Sequence, residues 1–239
     1  MKQSRKRTVG IVQSNYLPWR GYFDLIRSVD EFLLFDIVQY TRRDWRNRNR
    51  IKTPTGSAWI TIPVEVKGKY HQAIDETYIA DPAWAANHIR ALELNYQRAA
   101  AFDDVAPWLF ARLAELADEP LLSRVNEALL RSIAEKLNIV TPIRQCTDLL
   151  SREKMAEMEP SERLIALCQA ANAERYLSGP AARNYLNEPL FRESGIEVVW
   201  MDYSGYPEYR QLWGPYDPNL SIIDLMLNTG KDAAKLVAP

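Results

Sequence analysis

The chain has 239 residues, 47% of them hydrophobic and 26% charged, with 30 Lys and Arg against 31 Asp and Glu. A net charge of −1 excludes nucleic-acid binding through a broad positive field, and no apolar run is long enough to span a bilayer. The two cysteines, Cys146 and Cys168, fit no zinc spacing and sit among apolar residues, so no metal site is expected.

The basic start, Met1 to Arg7, reads as a solvated terminus and is followed by no secretory h-region. A cytoplasmic location is therefore expected. Thr8–Gln13 is a short apolar run ending in a polar residue, the pattern of a buried strand. Tyr22, Leu25, Ile26 and Val29 are spaced as on a helix over Gly21–Asp30, and Glu31–Asp36 is a second buried strand. Together they predict a βαβ unit with parallel strands. Ile37–Pro54 is polar and aromatic, with Arg42, Arg43, Arg46, Arg48, Arg50 and Lys52 around Tyr40 and Trp45. Ala58–Val64 reads as a third strand and Gly68–Ala80 as an edge hairpin.

From Pro82 to Asn138 three apolar stripes predict three helices, with Pro107 and Pro120 near helix starts. Thr141–Cys146 suits a short strand and Ser161–Ala171 a helix. Arg175–Ser178 is a strand, followed by Gly179-Pro180 and a helix through Tyr185. Ile196–Met201 is a further buried strand. Ser221 is an N-cap with Asp224 as its capping-box partner, and Gly230 ends that helix. The fold class is therefore α/β: a mostly parallel Rossmann-like sheet of about five strands, helices on both faces and an inserted helical block. The expected division is an N-terminal half of the core at 1–81, the helical insertion at 82–140 and the C-terminal half at 141–239. In such sheets ligands sit beyond the carboxyl ends of the strands at the topological switch point, expected here beside Thr8–Gln13.

Two segments leave strand ends at that edge. In the first, Gln13, Ser14 and Asn15 place polar side chains where a buried strand stops, and such groups need partners that a ligand can supply. Tyr16, Trp19 and Tyr22 are either core or ligand-stacking aromatics. Gly21 stands at a helix N-terminus that favours anions. In the second, Asp36 and Gln39 are expected at the cleft mouth. Arg48 and Arg50, between Asn47 and Asn49, suit a phosphate or carboxylate, although a solvated basic loop explains the same run. His88, on a helix, titrates near neutrality and is, with Asp36, a candidate general base. Ser178 and Asp224 are further candidate ligand contacts, each equally explained as a helix cap.

The string from Ile11 to Phe23, the Asp36–Tyr40 stretch and the Trp45–Lys52 stretch resemble signatures of the WbqC-like family. So do Tyr176–Pro180, Gly205–Tyr209 and Leu220–Asn228; Ser14 departs from the family's usual Pro. The resemblance implies a role in surface-polysaccharide and O-antigen synthesis: a transferase adding an acyl or aminoacyl group to a sugar or nucleotide-sugar substrate. It fixes no cofactor beyond a nucleotide or acyl donor. Alternative expectations are a non-catalytic binding or assembly protein for polysaccharide-pathway enzymes, with an exposed aromatic patch at Trp213 and Tyr216, or a nucleotide-dependent ligase-like protein. The last is suggested by Trp19-Arg20-Gly21-Tyr22, which has the spacing of the pantothenate-synthetase His-x-Gly-His motif with both histidines replaced.

Overall fold

The computed structural model describes residues 5–239; the first four residues of the basic start lie outside it. Elements follow in the order β1 (Thr8–Val12), α1 (Arg20–Arg27), β2 (Glu31–Leu34), β3 (Arg48–Thr53) and β4 (Gly56–Thr61). Helices α2 (Trp84–Tyr96), α3 (Phe102–Glu115) and α4 (Leu122–Lys136) form the helical block. Then come β5 (Ile143–Gln145), α5 (Arg152–Ala156), α6 (Pro160–Ala170), β6 (Arg175–Ser178), α7 (Glu188–Glu193), β7 (Glu197–Trp200), α8 (Ile222–Thr229) and α9 (Ala233–Leu236).

Five strands form one parallel sheet in the order β5-β2-β1-β6-β7. Alternate residues serve opposite faces, as strand geometry requires. Phe32 and Leu34 join the core that includes α1, α8 and the helical block. Val9, Ile11, Leu33 and Phe35 join a second core with α6 and Phe191 of α7. With both faces covered, the strands read as continuous apolar runs. The chain order reverses between β1 and β6, so the switch point lies at the ends of these two strands.

The sheet has five strands, but its membership differs from the expectation. The strand expected at Ala58–Val64 is β4, which pairs antiparallel with β3 in a separate hairpin. Only Pro54 and Thr55 connect them, and Gly56 takes φ 128°. So short a connection joins antiparallel neighbours, whereas parallel ones need a long crossover. The Thr141–Cys146 segment supplies the fifth sheet strand, β5, at the edge beside β2. Gly68–Ala80 forms no hairpin: it has a 3-10 turn at Ile74–Glu76 and isolated bridges. Pro107 lies inside α3 rather than at its start, and the helix expected through Tyr185 is a 3-10 turn, Pro180–Asn184. The described part of the basic start is tied down, with Arg5 pairing Asp30 at 3.0 Å and Arg7 pairing Glu31 at 2.8 Å.

Between β7 and α8 about twenty residues run without helix or strand. Connections of this length are uncommon and often functional. This strap is pinned along its course. Tyr206 donates to Asp24 at 2.7 Å, Arg20 donates to the Pro207 carbonyl at 2.7 Å, and the Trp213 indole donates to the Asn95 carbonyl at 3.0 Å.

Candidate functional site

The turn from β1 into α1 is built around Leu17, a buried residue with φ 42°. A left-handed branched residue costs about 1–3 kcal/mol and persists only where its surroundings over-determine it. Here they do. The Tyr16 amide donates to the Trp45 carbonyl at 3.0 Å, and the Asn49 amide donates to the Tyr16 carbonyl at 3.1 Å. Ser221 Oγ donates to the Leu17 carbonyl at 2.7 Å, and the Ile222 amide donates to the Pro18 carbonyl at 2.8 Å. The turn is thus clamped between β3 and the start of α8.

The clamp leaves a pocket of about 170 Å³ walled by Asn15, Pro18, Trp19, Trp45, Asn49 and Asn219. Residues of both polar-aromatic segments therefore line one cavity, and the strap closes it with Asn219. Trp19 lies across Gly21, where an added Cβ would stand 2.3 Å from the indole. Its ring meets Tyr203 and Tyr206 edge-on, with centroids at 5.1 and 5.9 Å. The Trp19 indole thus lies over the first turn of α1 at Gly21. Asn15 Oδ1 accepts from Arg46, whose guanidinium also reaches Gln13 Oε1 at 3.3 Å. Arg46 is the cation beside the pocket.

The other candidates have different surroundings. His88 is buried, with Nε2 3.1 Å from the Thr61 carbonyl and Nδ1 2.7 Å from the Tyr16 hydroxyl. A carbonyl only accepts, so Nε2 carries the proton and Nδ1 accepts from Tyr16. Both ring nitrogens are engaged within the protein, and burial lowers the imidazole pKa to about 4. In this arrangement the fold presents no free nitrogen of His88, the candidate general base, to the pocket. Asp36 is buried behind the turn, accepting from the Ser14 amide at 2.7 Å, and does not line the pocket. Burial pushes its carboxyl up to about 6, against the hydrogen bonds from Ser14 and the charge of Arg46.

Tyr16 and Tyr22 are core residues; the Tyr22 hydroxyl donates to the Gln13 carbonyl at 2.9 Å. Gln39 faces solvent, away from the pocket, and donates to the Tyr70 carbonyl at 2.8 Å. Asn47 bonds the Ile62 carbonyl at 2.8 Å and fastens the hairpin. Arg48 stacks over Trp59, and Arg50 pairs with Asp217; neither lines the pocket. Ser178 is buried at the end of β6, 3.3 Å from the Tyr176 hydroxyl. Ser221 caps α8, accepting from the Ile223 amide at 3.2 Å. Asp224 does not complete a capping box. Its oxygens accept from Tyr96 at 2.8 Å and Tyr209 at 2.7 Å, and burial raises its pKa.

Trp45, Asn49 and Asn219 line the pocket without having been candidate ligand contacts, and Arg46 stands beside it. Strict alternation from Arg46 to Arg50 is a strand signal, and it separates inward Asn47 and Asn49 from the outward arginines. Asn219 follows Asp217-Pro218, a turn signal ahead of the Ser221 cap. The patch expected at Trp213 and Tyr216 is not exposed; the exposed indoles are Trp45 and Trp59.

Fold and site define a parallel five-stranded α/β protein with a small amide-and-indole pocket at the carboxyl end of its central strand. No helix among the described residues is long and apolar enough to cross a membrane. The chain belongs to the WbqC-like protein family, whose model matches residues 13–236. It is 51% identical over 227 residues to the uncharacterized protein Rv1507c of Mycobacterium tuberculosis, covering 95% of this chain and 96% of that protein. No solved structure matches.

Proposed function

We propose that the protein binds the sugar of a nucleotide-linked precursor in this pocket and serves the transfer of an acyl or aminoacyl group to it, in the cytoplasmic synthesis of a surface polysaccharide. The observation that carries the reading is the wall of the pocket: two indoles and three amides around about 170 Å³. A dry cavity of about 150 Å³ holds one benzene ring, so the space suits one six-membered ring. Apolar ring faces pack on indoles; the Asn49 amide is held by the Tyr16 carbonyl and the Arg50 N–H, while the Asn15 amide N–H and the Asn219 side chain can bond hydroxyls. The family's resemblance to polysaccharide-cluster products supports the same substrate class.

No Asp, Glu, His, Lys or Cys lines the pocket, which is compatible with transfer to an amino group. A neutral amine attacks the acyl carbon, the C–N bond forms as the bond to the carrier breaks, and the amine proton leaves with the carrier or to water. Positioning then supplies most of the acceleration. The same lack of a titratable wall, with His88 engaged in the core, favours a second reading: sugar binding without turnover, in the service of polysaccharide-pathway enzymes. Calorimetric titration of nucleotide-linked amino sugars, followed by an acyl-transfer assay, tests both. Binding with turnover supports the transferase and binding alone the second reading. No binding of any such sugar refutes both.

A further inference from the structure

The outer face of the β3–β4 hairpin carries groups that the pocket does not use. Trp59 is 45% exposed and meets Trp45 at 5.2 Å between centroids. Trp45 in turn walls the pocket, so an aromatic path runs from the cavity to the hairpin surface. The Arg48 guanidinium sits 4.1 Å from the Trp59 ring centroid. From Thr41 to Thr53 the chain has five arginines, one lysine and one carboxylate, Asp44. Arg50 is paired with Asp217, and Lys52 is buried against Gln211 and the Pro215 carbonyl. Arg46 lies 3.6 Å from Asp44 and donates to Asn15 and Gln13. Arg42 donates to the Val66 carbonyl at 3.0 Å and Arg48 to the Arg43 carbonyl, so that among the described residues Arg42, Arg43 and Arg48 have no carboxylate partner, and Arg42 and Arg43 are exposed. This positive charge is gathered in the start of β3 and the segment before it, in a chain whose net charge is −1, a field suited to a short anion rather than a polyanion.

We propose that this face binds a nucleoside diphosphate, the base stacked on Trp59 and the diphosphate held by Arg42, Arg43 and Arg48. An exposed indole is a platform for a base, and guanidinium groups match phosphate oxygens. The proposal deepens the sugar reading and rests on it for the direction of the sugar, which enters the pocket past Trp45. The nucleotide half stands on Arg48 and Trp59 of the hairpin and on Arg42 and Arg43 of the segment before it.

The test is calorimetric titration of uridine, thymidine and guanosine diphosphates, without sugar, into the full-length protein. Wild type binds at least one of them, and raising the salt weakens the binding. Trp59→Ala weakens it at least tenfold, Trp59→Phe restores most of it, and Arg42→Gln with Arg43→Gln weakens it at least tenfold. Thermal melting of each variant reports the fold. No binding of any of the three by wild type, or equal binding by a folded Trp59→Ala protein, overturns the proposal. So does a dimer that Trp59→Ala dissociates and that forms without nucleotide binding, because it assigns the face to a second copy. Binding of the diphosphates with no contribution from a linked sugar removes the sugar reading and leaves this one.

Discussion

Replacing His88 by glutamine tests whether this imidazole belongs to the core or to the chemistry. In the fold its pKa lies at about 4 instead of 6.5, chiefly because it is buried. At about 1.36 kcal/mol per pH unit that displacement corresponds to roughly 3 kcal/mol. Between about pH 6.5 and 4 the unfolded chain takes up a proton that the native His88 refuses, so its contribution to stability is present above 6.5 and lost as the pH falls. Asp36 works the other way: its carboxyl is raised from 3.8 to about 6. The native state holds a proton that the unfolded chain releases, so Asp36 costs stability at pH 7 and the cost disappears towards pH 4. The two slopes oppose each other over nearly the same window. The side chain introduced by His88→Gln would offer an amide N–H to the Thr61 carbonyl and an oxygen to the Tyr16 hydroxyl, but no proton to titrate. Urea unfolding from pH 7.5 to 4 should therefore show wild type losing roughly 3 kcal/mol relative to His88→Gln on going to the acid end. Parallel pH curves for the two proteins would refute the argument and return His88 to the list of candidate bases.

Asp36→Asn should have the mirror effect in the same assay. Its stability relative to wild type is greatest at pH 7 and falls by roughly 3 kcal/mol towards pH 4; a constant difference contradicts the buried carboxylate. Gly21→Ala should displace the Trp19 indole, which lies 2.3 Å from the added Cβ. Overpacking of this kind costs about 1–3 kcal/mol in urea unfolding, and sugar binding by calorimetry should weaken at least tenfold; unchanged affinity argues that Trp19 does not wall the site. Asp224→Ala leaves the Tyr96 and Tyr209 hydroxyls without their acceptor. At about 1–3 kcal/mol for each of the two stranded groups, and about 2–4 °C per kcal/mol for a chain of this size, a drop in Tm of roughly 4–24 °C is expected, with Asp224→Asn recovering part of it.

The βαβ unit was legible in the sequence because it depends on local apolar patterning, and the switch point because the chain leaves for the helical block and must return to the sheet beside β1. The β3–β4 hairpin was harder to read. Lys52 is a lysine buried in a strand, held by Gln211 and a carbonyl of the strap, and no local pattern announces a partner so distant in sequence. The same holds for His88, whose partners, Tyr16 and Thr61, come from the β1–α1 turn and from β4. The polar cluster Gln13, Ser14 and Asn15 was recognisable as a group in need of partners, but several of those partners are protein: Arg46, Asp36 and Asn126. Buried polar residues ask for satisfaction, and sequence alone does not say whether another chain segment or a ligand provides it.

Saturation-transfer NMR of a nucleotide-linked hexosamine against wild type, Asn15→Ala and Trp45→Ala bears most directly on the shared pocket. Strong transfer to the sugar-ring protons in wild type, lost in both folded variants, is the predicted outcome. Equal transfer in all three proteins, or none to the ring in wild type, would contradict it.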